Sequence, residues 1–99
     1  MHNFSNDGIC DVCGKYMNIS DSRIEWGYGE DTSIMTYIHI CHNDCCNDWN
    51  NGPRVGGDII FNQGLYLNPE HVFKNLEDMM ELYTEYESDI KRISEMIFK

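Results

Sequence analysis

Basic residues are scarce in this chain and alanine is absent altogether. Seven Lys and Arg stand against seventeen Asp and Glu, a formal net charge of −10. A surface of that sign repels phosphate backbones and has no basic stripe with which to release counterions, so direct duplex binding is not expected. Long apolar runs are missing too. Nothing approaches the ~18 consecutive apolar residues of a membrane-spanning helix. Met1–Asn6 holds neither the basic patch nor the apolar stretch of a secretory signal. No Gly-rich phosphate loop occurs, since Gly56-Gly57 stands alone, and no His-Glu-x-x-His or His-x-Glu motif accompanies the cysteines. These absences remove the common nucleotide-binding and zinc-hydrolase signatures, and the expectation is a protein that is not an enzyme.

What is present points to metal. Five cysteines, an odd number, gather in two short segments. A secreted disulfide framework shows an even count at wide spacings, so a reducing, cytoplasmic setting is expected, where cysteines read as ligands before bridges. A chain of 99 residues forms one small unit whose core needs help from a metal or a partner.

Structural zinc takes four Cys or His ligands, usually as two close pairs. Ile9-Cys10-Asp11-Val12-Cys13-Gly14-Lys15 has the shape of a zinc knuckle, with Gly14 able to take the positive φ of the turn. The second pair comes from the crowded segment His39 to Cys46. His42-x-x-Cys45 repeats the two-residue gap, His39-x-x-His42 is also spaced correctly, and Cys41 with Cys45 is a looser option. Spacing favours Cys10, Cys13, His42 and Cys45 around one structural Zn2+, with Cys41 the first substitute. His39 with Asn43 could be read as a nuclease pair only by taking residues from this segment.

Arg23–Tyr28 alternates like a strand, and Ser33–Cys41 is rich in β-branched and aromatic residues, with Gly29-Glu30-Asp31 as a hairpin turn between them. Asn43 or Asp44 caps a short helix to about Trp49. Arg54–Asp58 reads as a flexible loop and Asp58–Asn62 as a short strand. Asn68 and Pro69 then form a helix start, and neither Pro nor Gly interrupts the chain to Lys99. Val72, Leu76, Met79, Tyr83, Tyr86, Ile90, Ile93 and Ile97 follow steps of four and three, a heptad seam. The fold class expected is a small α+β zinc-bound domain. It comprises a head at 1–67, with knuckle and β-hairpin, and one long acidic amphipathic helix at 68–99. That helix would reach roughly 45 Å, with its seam at 72–97 available for a homodimeric coiled coil or a partner.

The knuckle, the hairpin and His42-x-x-Cys45 leading into a helix together resemble a treble-clef zinc finger. The ligand order is similar to that of LIM domains and poly(ADP-ribose) polymerase type fingers, over residues 9–50. LIM domains carry a second quartet that this chain lacks. The polymerase-type fingers are basic and read DNA breaks, whereas residues 1–67 hold nine acids and three bases. The resemblance therefore implies fold and zinc but not DNA binding. Ile40-Cys41 after a Cys-x-x-Cys is also loosely similar to small zinc-binding anti-sigma proteins.

The function expected is protein–protein interaction: a regulator or inhibitor of a partner with a basic surface, one that itself handles nucleic acid. The alternative is a zinc finger that binds nucleic acid directly through Lys15, Arg23 and Arg54.

Overall fold

The computed structural model describes residues 2–28, 35–45, 54–61 and 68–98. Strand β1 (Asp7–Ile9) pairs antiparallel with β2 (Tyr16–Asn18), and the knuckle is the turn between them. A 3-10 turn, Ile19–Asp21, leads into β3 (Ser22–Tyr28), followed by β4 (Met35–His42) and β5 (Arg54–Ile60). These three form an antiparallel sheet in the order β4-β3-β5. Helix α1 (Pro69–Leu82), a 3-10 turn at Thr84–Tyr86 and helix α2 (Glu87–Ile97) complete the fold. The expected α+β class is what the described residues form. No helix among them is long and apolar enough to cross a membrane.

Side chains alternate across a strand, so register decides which residues share a face. Ile24 lies opposite Ile40 on one side and Ile59 on the other; Trp26 lies opposite Ile38 and Gly57. Ile24, Ile38, Ile40 and Ile59 are buried and join Val72, Leu76, Met79, Ile90, Ile93 and Ile97 in one core cluster. The other face carries Arg23 opposite Cys41, and Glu25 opposite His39 and Asp58.

Two expectations are corrected here. Arg54–Asp58, read as a loop because of its glycines, belongs to β5. Gly57 is there for space: a Cβ on it would meet the Trp26 indole at 2.6 Å. The glycine thus marks close packing across the sheet. The second correction is the long helix. The seam is divided at Tyr83, whose φ of −119° and ψ of 69° end α1, and α1 and α2 pack on one another. An unbroken helix of about 45 Å would exceed the longest dimension of the molecule, 36 Å. Val72, Leu76, Ile90, Ile93 and Ile97 are fully buried in the chain's own core. Burial of each contributes ~1.5–3 kcal/mol, and none of them is left at the surface for a coiled-coil partner.

The start of α1 follows the sequence reading: Asn68 Oδ1 accepts from the Glu70 N–H at 3.0 Å, with Pro69 in the first helical position. The expected Gly29–Asp31 turn lies outside the described residues. Of the short helix expected from Asn43 to Trp49, residues 43–45 form a turn and the rest lies outside them. The N-terminal segment is tied down. Phe4 bridges to Phe98, and the Ser5 N–H donates to the Ile97 carbonyl at 2.8 Å. The His2 ring stacks on Phe73 at 3.8 Å.

Candidate metal centre

The knuckle is built by short-range backbone bonds. The Cys10 N–H donates to the Lys15 carbonyl and the Gly14 N–H to the Cys10 carbonyl, both at 2.9 Å. Gly14 takes φ +73°, the left-handed region that costs a non-glycine residue about 1–2 kcal/mol. This turn brings the Cys13 N–H to 3.5 Å from the Cys10 sulfur.

The other half comes from the end of β4. His42 has the same parity as Ile38 and Ile40, so it projects on the core side of the sheet, where Cys10 is buried. Cys45 follows in a turn closed by its N–H donating to the His42 carbonyl at 3.0 Å. That turn is clamped: Arg23 donates to the Asn43 side chain at 3.1 Å and to its carbonyl at 3.3 Å, and the Asn43 N–H donates to Asp21. One ligand atom from each of Cys10, Cys13, His42 and Cys45 then lies within 4.8 Å of the others. This cluster could hold one metal ion.

The orientation of His42 is set from behind. Its Nε2 lies 3.1 Å from the Tyr16 carbonyl. A carbonyl can only accept, so Nε2 carries the proton and Nδ1 presents its lone pair, the arrangement common behind metal-bound imidazoles. Nδ1 is 3.5 Å from the Cys13 sulfur and 3.6 Å from the Cys45 sulfur. The same parity rule removes the alternatives. His39 and Cys41 lie on the opposite face, with His39 Nε2 2.7 Å from Glu25 Oε1. Cys41, the first substitute ligand on spacing, is in addition disulfide-bonded, against the expectation that cysteines here act as ligands before bridges.

The thiols differ in what the fold does to them. Burial alone would raise the Cys10 pKa, but the backbone N–H groups of Cys13, His42 and Val12 outweigh it and lower the value to about 6. Cys45 is pushed up to about 11 by burial, by its hydrogen bonds to Cys13 and Cys10, and by their charges. Crowded thiols oppose one another's ionisation, and a divalent cation relieves that opposition.

Asp11, between the two knuckle cysteines, ties the site to the rest of the fold. Its N–H donates to the Ile40 carbonyl at 2.8 Å, while its Oδ2 accepts from the Ile40 N–H at 2.9 Å. Arg92 of α2 grips both carboxylate oxygens at 3.1 Å. Sequence reasoning passed over Asp11, Arg92 and the Tyr16 carbonyl. The one available signal was an acid placed inside a knuckle that must dock on something. Arg23, named there as a nucleic-acid contact, is engaged as the clamp on Asn43. Compared with known proteins, the chain matches no family model, no curated protein and no solved structure.

Proposed function

We propose that this chain is a small acidic zinc-binding protein that works by contact with another protein, as a regulator or inhibitor of a partner with a basic surface. In this reading the head is treble-clef-like and holds one structural Zn2+ through Cys10, Cys13, His42 and Cys45. The observation that carries it is the closed ligand set. Zn–S bonds of ~2.3 Å and Zn–N bonds of ~2.0 Å put tetrahedral S···N edges at ~3.5 Å. The Nδ1 atom of His42 lies 3.5 and 3.6 Å from two of the sulfurs. Four protein ligands leave zinc no open position for substrate or water, which makes its role scaffolding rather than catalytic.

With the chemistry of the ion confined to holding the fold, function falls to the surface. A net charge of −10 steers association with a basic partner and repels nucleic acid itself. A protein that normally binds phosphate backbones presents such a surface. The test is capture of partners on the immobilised, zinc-loaded chain from lysate of the source organism, with mass spectrometry of what is retained. A stoichiometric basic protein, released by raising salt, is the expected result. Recovery of no stoichiometric protein at about 50 mM salt, or a shift of labelled duplex at that salt, would overturn the reading.

A further inference from the structure

The sheet face opposite that of Ile24, Ile38 and Ile40 carries a row of ligating side chains that the first cluster does not use, and it too is covered, with Cys41 fully buried. Glu25 sits in the central strand with 6% of its surface exposed. Its Oε1 is 2.7 Å from His39 Nε2, while its Oε2 is buried with no hydrogen-bond partner among the described residues. A buried carboxylate oxygen without a donor is costly and calls for an explanation. Cys41 stands two residues along β4 on the same face. One ligand atom each from Glu25, His39 and Cys41 lies within 4.8 Å of the others. The Tyr37 ring lies 5.1 Å from that of His39 on the same face.

We propose that Glu25, His39 and Cys41 form a second zinc site that opens when the Cys41 disulfide is reduced. The disulfide holds the sulfur out of coordination. Reduction delivers two electrons and two protons to the S–S bond, from a dithiol that closes to its own disulfide or from a phosphine that takes oxygen from water. Each sulfur then becomes a thiol. Coordination replaces the Cys41 thiol proton, which passes to solvent. One thiolate and one carboxylate balance a 2+ ion, and the metal gives Glu25 Oε2 a partner that no described residue supplies. Three protein ligands of mixed S, N and O type leave a fourth position for water.

The site is tested by counting zinc on the intact chain after dialysis against zinc, with and without a phosphine reductant, the disulfide state being read by mass spectrometry. The expected result is a doubling, from one equivalent in the oxidised protein to two in the reduced. His39→Ala and Cys41→Ser should each hold the reduced protein at one, and Glu25→Gln should do the same if circular dichroism shows it folded. His39 is partly exposed, so its replacement keeps the test open should Glu25→Gln not fold. Equal zinc in both redox states, whether one equivalent or two, overturns the proposal.

Discussion

Gly14 combines a positive φ with open surroundings: a Cβ built on it meets nothing within 4 Å. Replacing it therefore tests backbone conformation alone. Gly14→Ala should lower stability in denaturant titrations by about 1–2 kcal/mol, and metal affinity by roughly tenfold where the strain is taken from the bound state. Wild-type values for both would show that the knuckle does not need its turn. Cys10 sets the pH response. Above about 6 its sulfur is already a thiolate, so no proton has to leave it when metal binds. Below that pH the proton competes. Log affinity plotted against pH should steepen by about one proton as pH falls through 6, measured against a chromophoric chelator. An unchanged slope there would mean that Cys10 does not titrate near 6 as a metal ligand. Cys45, whose pKa is raised to about 11, should release its proton to metal throughout the neutral range.

The two helices show how far a hydrophobic pattern reaches. Its apolar positions were legible and all but the tyrosines are buried, yet the pattern is equally consistent with one rod or with two shorter helices sharing a core. Tyr83-Thr84-Glu85-Tyr86 contains neither Pro nor Gly to announce the break. The decision comes from burial: Ile90, Ile93 and Ile97 gain more by packing into the core cluster than an extended helix gains from one continuous hydrogen-bond ladder. Ile93→Ala should accordingly cost about 2–5 kcal/mol in urea unfolding. A cost below about 0.5 kcal/mol would place Ile93 at the surface instead. In the metal cluster, Cys10 and Cys13 were legible because their geometry is local. The choice of His42 over His39 and Cys41 rested on spacing, although the alternation Ile38, Ile40, His42 carried the answer once β4 was placed. β1 and β2, at three residues each, were missed. Strands that short have no period of their own and exist because the knuckle pairs them.

At the scale of the molecule, the N-terminal segment is tied to the rest by the Asp11 contacts to Ile40 and Arg92, by the Phe4–Phe98 bridge with its Ser5–Ile97 bond, and by the His2 contacts to Glu70 and Phe73. The Cys10, Cys13, His42 and Cys45 cluster joins the same segment to the end of β4. The Asp11–Arg92 pair is half-exposed, so its contribution is at most ~1 kcal/mol. Stripping the ion with a chelator should lower the melting temperature by roughly 15 °C or more, the equivalent of a few kcal/mol in a chain this size. It should also expose the amides of Cys10, Cys13 and Gly14 to exchange before those of β3 and β4. An unchanged melting curve would sink the claim that metal holds the head together. The separation between the two halves of the cluster also imposes a tempo. Cys13 and His42 are 29 positions apart, whereas the knuckle pair is closed by a single tight turn. Short loops close in ~10–100 ns, but His42 and Cys45 cannot arrive until β3 and β4 have paired. On the proposed ligand set, an incoming ion would meet two sulfurs early and the last two ligands late, seeding the fold before completing it. Rapid mixing of the unfolded, reduced chain with cobalt should show a weak early spectrum that matures with the sheet, and dissociation should run through the same stations in reverse.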